Sequence, residues 1–188
     1  VRDPPAPQTL SANGREALAI ARARGWRVFP VWSVNEHGAC RCGTACGKQS
    51  GKHPVTQHGF HDATTAPDQI AAWWTEHPTA SIGIATGNGL CVVDIDPAKN
   101  GAATHAACVA ALGDLGPTLT VRTGSGGLHH YYTTTTHIPC STSRLGPGVD
   151  VRCDGGYVVA PRAGTPAAAA TRGRATETRF LRLSRRHG

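Results

Sequence analysis

The chain has no run approaching the ~20 apolar residues that span a bilayer, which excludes a membrane-spanning helix within this sequence. Its first eight residues, Val1-Arg-Asp-Pro-Pro-Ala-Pro-Gln8, carry no apolar stretch of the secretory-signal kind, so a cytoplasmic setting is expected. There is no internal repeat. Hydrophobic residues make up only 39% of the chain, while 23 Gly and 13 Pro demand short elements joined by many loops. Acidic residues are scarce: 12 Asp+Glu stand against 19 Lys+Arg, for a formal charge of +7. That balance suits a polyanionic partner, although a soluble basic protein without one has the same composition. Seven cysteines, an odd number with three of them inside seven residues, do not suit a disulfide framework. With 188 residues there is room for one domain with a real core, or one domain and a tail.

The most β-prone run, Leu90-Cys-Val-Val-Asp-Ile-Asp96, ends in two acids one position apart. Residues i and i+2 of a strand share a face, so Asp94 and Asp96 aim at one spot. Neighbouring carboxylates repel unless cations lie between them, and the pair reads as a divalent-metal site or as a solvated strand end. Downstream, Thr123-Gly-Ser-Gly-Gly-Leu-His-His-Tyr-Tyr132 offers a loop whose backbone amides can approach an anion. Ser125 adds a hydroxyl, and His129 and His130 fall on opposite faces of the strand that follows. A third element, Gly148-Val-Asp-Val-Arg152, sets Asp150 and Arg152 on one face, as a metal carboxylate with a phosphate-neutralising guanidinium or as a structural ion pair. Together these parts equip a chain for nucleotidyl transfer with two Mg²⁺ or Mn²⁺ ions held by three aspartates.

Three cysteines, Cys40, Cys42 and Cys46, precede His53, with His37 close by. Thiolates at tight spacing beside an imidazole suit one tetrahedral Zn²⁺; reduced thiols in a flexible loop are the alternative. The ligand set is Cys40, Cys42, Cys46 and His53, with His37 in reserve, and four protein ligands make the site structural. Arg41, Lys48 and Lys52 make this excursion basic, able to touch template or primer; for Lys52, next to His53, reaching a triphosphate is the alternative. Cys91, Cys108, Cys140 and Cys153 are scattered, and those in strand-like runs are packing residues.

Along the chain, residues 1–9 are expected to be disordered. Ser11 caps a helix to about Arg24, with Gly25 as its stop. A strand follows at Trp26–Trp32, then the zinc loop (about 37–54) and a helix over Pro67–Glu76 with Trp73 and Trp74 inward. Strands are expected near 81–85, 90–95, 118–123, 128–134, 148–153 and 156–160, with a helix near 102–112. This order implies an α+β fold. Residues 172–186 hold six arginines and one glutamate, so 166–188 read as a basic tail, linker or terminal helix.

From Ala17 to Gly164 the chain resembles the primase-polymerase (prim-pol) family of the archaeo-eukaryotic primase superfamily. The likeness rests on Arg24-Gly-Trp-Arg-Val-Phe-Pro30, Gly51-Lys-His-Pro54, Trp73-Trp74, Ile82-Gly-Ile-Ala-Thr-Gly87, Val93-Asp-Ile-Asp96, Thr123-Gly-Ser-Gly-Gly-Leu-His129, Val149-Asp-Val-Arg152 and Gly155-Gly-Tyr-Val-Val-Ala-Pro161, in order. The resemblance implies an N-terminal α/β module packed on an RRM-like palm, with the active site in the cleft between them and a small zinc-binding insertion. Residues 10–165 would form the catalytic domain. Asp94, Asp96 and Asp150 stand where the family places metal-binding acids, His129 where its nucleotide-binding histidine falls, and Ser125, Gly126 and Gly127 in the triphosphate loop, with Arg152 offsetting charge. The implied partners are single-stranded DNA template and primer, dNTP or NTP, and a helicase domain or protein. A zinc-stabilised nucleic-acid-binding module without catalysis is the alternative. A nicking initiator fails on geometry, because His129 and His130 are adjacent and not separated by one residue.

Overall fold

The computed structural model describes residues 10–161, so the expectations for 1–9 and 166–188 lie outside the described residues. The described residues form two compact units: one holds residues 10–85 and takes the chain back at Tyr157, the other holds Thr86–Gly156. Each has its own antiparallel sheet, and the described residues hold three α-helices, a mixed α/β arrangement in keeping with the expected α+β class.

In the first unit α1 (Ala12–Arg24) starts where the Ser11 side chain accepts the Gly14 N–H at 3.2 Å and stops at Gly25, whose φ of +66° is the left-handed cap. It lies against α2 (Pro67–Glu76), which buries Ile70 and Trp74 completely and leaves Trp73 half-buried. A Cβ at Gly14 would stand 2.7 Å from the Trp74 Cβ, so glycine lets the helices meet. The sheet runs β1 (Val28–Val31), β2 (Ser81–Ala85), β7 (Tyr157–Val159). The strand expected at Trp26–Trp32 is shorter at both ends: Trp26 takes the Arg24 guanidinium over its ring at 5.7 Å, outside the ladder.

The second unit is a four-stranded sheet in the order β4-β5-β3-β6, where β3 is Leu90–Ile95, β4 Leu119–Arg122, β5 Leu128–Thr133 and β6 Val149–Arg152. Between β3 and β4 lies α3 (Gly101–Leu112). Strand alternation sorts the sheet. Val93, Ile95, Tyr132 and Val149 form a cluster on one face, together with Leu115 and Leu128. The opposite face of the same strands carries Asp94, His129, Tyr131, Asp150 and Arg152. Burying the first set fixes the register, since a one-residue slip would turn the acids inward.

Candidate active site and candidate metal centre

β3 is flanked on both sides, and its register decides the site. Asp94 is the direct cross-strand partner of His129 on β5 and of Asp150 on β6. Directly opposed residues share a face with their side chains adjacent. The His129 Nε2 lies 3.5 Å from the Asp94 Oδ1, and the imidazole is almost wholly buried with no partner for its Nδ1. A buried ring nitrogen without a hydrogen bond is unusual, and it leaves His129 with capacity to meet a ligand. Tyr131, two residues on, is fully buried; burial and then the Asp94 charge push its phenol up, so it stays protonated. His130 points the other way, its ring 5.2 Å from that of His105 on α3, as alternation requires.

Asp150 is held from two sides. Its Oδ1 accepts the Ser143 N–H at 2.9 Å and its Oδ2 the Arg152 guanidinium at 2.6 Å. Arg152 is therefore engaged with a carboxylate and does not stand alone on the face. Asp96 sits one residue beyond β3 in extended backbone; its N–H still bonds the Gly148 carbonyl at 2.8 Å and its carbonyl accepts Gly101 N–H at 2.9 Å. Its Oδ1 caps a short 3₁₀ turn, Pro97–Lys99, by accepting Ala98 N–H, and its Oδ2 pairs with Lys99 Nζ at 3.1 Å. The backbone anchoring depends on Gly101 and Gly148, where a Cβ would stand 2.3 Å from the Gly148 carbonyl oxygen and 2.6 Å from the Gly101 nitrogen respectively. Lys99 and Ser143 were not singled out from the sequence; the one signal for Lys99 is its position three residues after Asp96.

Residues 123–127 close the β4–β5 hairpin. The Thr123 N–H bonds the Gly127 carbonyl at 2.8 Å, and the Thr123 and Ser125 hydroxyls lie 3.1 Å apart. The backbone requires glycine at two of the three glycine positions here. Gly126 takes φ +86°, and Gly127 packs so tightly that a Cβ would lie 2.7 Å from the Ile95 carbonyl oxygen. At Gly124 neither applies, since nothing lies within 4 Å. Ser125 and Gly126 are exposed, while Gly127 is buried at the root of the hairpin beside the end of β3.

In the first unit, one ligand atom from each of Cys40, Cys42, Cys46 and His53 falls within 4.8 Å of all the others, the one such set of three or more among the described residues. His53 Nε2 lies 3.2 Å from Cys40 Sγ and 3.3 Å from Cys46 Sγ, and Cys42 Sγ lies 3.1 Å from Cys46 Sγ. These spacings are a few tenths of an ångström under the roughly 3.5–3.8 Å that separates donors about 2.0–2.3 Å from a tetrahedral ion, and the soft donor set fits zinc. His37 is not part of it; it is exposed and pairs with Glu36. Thr44 was not foreseen: its hydroxyl contacts both Cys42 and Cys46 sulfurs at 3.2 and 3.3 Å. That hydroxyl first, and the Cys46 thiol second, bring the Cys42 pKa down to about 6, toward the thiolate a metal requires. Cys91 and Cys153 are packing residues as expected, both buried beside Val151.

The family model of the bifunctional DNA primase/polymerase N-terminal domain (Prim-Pol) matches residues 17–180. The chain belongs to this family. Membership points to a nucleotidyltransferase-type enzyme with DNA primase/polymerase activity, and implies DNA and nucleotide substrates. A search of curated proteins finds no match to the chain. The resemblance spanned Ala17–Gly164; the match continues past the last described residue.

Proposed function

We propose that this Prim-Pol chain performs template-directed nucleotidyl transfer, as a DNA primase, a DNA polymerase or both, with Asp94, Asp96 and Asp150 as its metal-binding acids. The observation that carries the reading is the register of β3, which sets Asp94 between His129 and Asp150 on one face. Hard carboxylate oxygens fit Mg²⁺ or Mn²⁺, which take a few protein carboxylates and complete their shells with water and substrate phosphate. Two such ions supply charge neutralisation for the attacking and leaving oxygens. The chain's own residues bind and orient. His129, Ser125 and the amides of 124–127 hold the triphosphate, and Arg152, fixed by Asp150, offsets its charge. The 3′-hydroxyl oxygen bonds the α-phosphorus, the bond to the β-phosphate oxygen breaks, pyrophosphate leaves, and the hydroxyl proton passes to solvent. Catalysis of this kind is positioning and electrostatics. The four antiparallel strands of the second unit, with a helix between the first and second, support reading it as an RRM-like palm. Structural zinc at Cys40, Cys42, Cys46 and His53 and a helicase domain or protein as partner belong to the same proposal.

A non-catalytic nucleic-acid-binding module is the second reading. It is favoured by the Lys99–Asp96 and Arg152–Asp150 pairs, which already neutralise two of the three acids. An incorporation assay with labelled nucleotides on primed and unprimed single-stranded DNA, with Mg²⁺ or Mn²⁺, separates the two. Asp94→Ala/Asp96→Ala is expected to abolish incorporation with the fold intact; full activity in that variant refutes the acid assignment.

A further inference from the structure

The zinc-loop side of the first unit joins cations to aromatic rings in a way the metal set does not explain. Between Glu36 and Asp62 the chain has no acidic residue but carries Arg41, Lys48, Lys52 and four histidines. Elsewhere the described residues hold eight Lys+Arg against ten Asp+Glu, so this stretch is locally basic in a near-neutral body. All three cationic side chains are exposed and none has a carboxylate partner among the described residues. They ring the knuckle: Arg41 follows Cys40, Lys48 lies in the 3₁₀ turn Gly47–Gln49, and Lys52 adjoins His53. The patch borders two rings seated on the Phe29, Val31, Ala63 and Ala85 cluster, and the Tyr157 hydroxyl donates to the Lys52 main-chain carbonyl at 2.8 Å. Tyr157 lies 5.9 Å from Phe60 with planes tilted 31°, and Phe60 lies 4.2 Å from His61. Phe60 and Tyr157 are half-buried, and His61 is exposed.

Exposed cations tracking a phosphate chain beside aromatic faces are what binding of a single strand needs, since every base has a face to stack. Duplex binding needs the cations but has no use for the rings. We infer that Arg41, Lys48 and Lys52 with Phe60, His61 and Tyr157 form a contact surface for single-stranded nucleic acid. The inference deepens the proposed function by naming where the strand is held, but it is read out by binding and not by incorporation.

The test uses the full chain, a fluorescent 20-mer of dT, and anisotropy titrations over a salt series. Arg41→Gln/Lys48→Gln/Lys52→Gln is compared with Arg15→Gln/Arg22→Gln/Arg24→Gln, which removes the same charge from α1 of the same unit. Three lost phosphate contacts at ~0.7 each are expected to lower the salt slope of log affinity by about 2, and to weaken binding at least 10-fold at low salt, roughly. The α1 triple is expected to bind like wild type. Phe60→Leu, which keeps the apolar contact, is expected to weaken dT binding about 5-fold or more and to leave duplex binding unchanged. If the loop triple loses zinc, Lys48→Gln alone reads the same effect as a slope change of about 0.7. Equal losses from the two triples, or wild-type binding by a loop variant that keeps its zinc, overturn the surface. Loop-dependent dT binding in a wild-type chain that incorporates nothing keeps this surface and removes the polymerase reading.

Discussion

Gly101→Ala offers the sharpest link from packing to chemistry. Gly101 is the first residue of α3, in the ordinary helical region, so alanine costs nothing in backbone strain and gains up to ~1 kcal/mol in helix propensity. Against this, the new Cβ would stand 2.3 Å from the Gly148 carbonyl oxygen, 2.6 Å from the Asp96 carbonyl oxygen and 2.8 Å from the Asp96 nitrogen. All three are backbone atoms, and no rotamer change relieves them. To reach even 3.0 Å the helix start and the head of β6 must separate by about 0.7 Å, an overpacking of the kind that costs roughly 1–3 kcal/mol. The same Gly148 carbonyl oxygen accepts the Asp96 N–H at 2.8 Å. The expected net loss is about 1–2 kcal/mol in urea denaturation, within a cooperative transition. Nucleotide incorporation should fall further than stability alone explains, by on the order of 10²-fold, because an ångström of misplacement costs that much at a positioned site. A Gly101→Ala protein with wild-type stability and wild-type incorporation would refute the claim that this close approach sets the Asp96 backbone.

Gly124→Ala is the counterpart: with nothing within 4 Å and no positive φ, stability should stay within ~0.5 kcal/mol while the nucleotide KM rises, and an unchanged KM removes Gly124 from the triphosphate loop. Purified protein should carry one zinc per chain by elemental analysis, and Cys42→Ser should carry none and expose the loop to protease; full zinc in that variant sinks the ligand set. Burial first, and His105 second, hold the His130 pKa below its ordinary 6.5, with Asp114 opposing and His129 adding to the shift. The unfolded chain therefore takes the proton first, so stability present above pH 6.5 is lost as pH falls below it. His130→Phe should flatten that part of the pH–stability curve, and an identical slope in both proteins removes His130 as its cause.

Much of the second unit could be read before any coordinates, because period-2 alternation is a property of the strand and not of its surroundings. That argument placed His129 and His130 on opposite faces and set Asp150 with Arg152, and both hold. It could not say which strands would be neighbours. The Asp94–His129 and Asp94–Asp150 pairings come from long-range register, for which the local sequence carries no signal. Strand ends ran one residue long at 118–123, 128–134 and 148–153 because β-propensity continues where the ladder partner stops. The clustering of Cys40, Cys42, Cys46 and His53 was legible from chemistry and spacing, whereas Thr44 was not: a threonine two residues from a cysteine is unremarkable until the chain turns its hydroxyl onto two sulfurs. Neither was the return of Tyr157–Val159 to the first sheet, which depends on a register with Gly83–Ala85 more than 70 positions earlier.

Two ion pairs made by the proposed metal-binding acids bear on how that site would work. Lys99–Asp96 and Arg152–Asp150 differ in kind. Lys99 is largely exposed and joined to Asp96 by one contact of the i,i+3 type, worth little in water and screened by salt. Arg152 is two-thirds covered, and its carboxylate is also tied to the Ser143 amide, so the pair is part of the architecture of β6. On the proposed reading of these acids as metal ligands, an arriving cation would meet Asp96, whose partner leaves at small cost, Asp150, whose partner stays, and Asp94, whose neighbour is a buried imidazole with a spare nitrogen. Removing the Lys99 charge should therefore tighten Mn²⁺ binding measured without nucleotide, because a competing cation has gone. Removing Arg152 should instead leave the part-buried Asp150 with a vacated oxygen, and disturb stability as well as metal affinity. Equal effects of Lys99→Met and Arg152→Met on both quantities would contradict this division between a labile and a structural counter-charge.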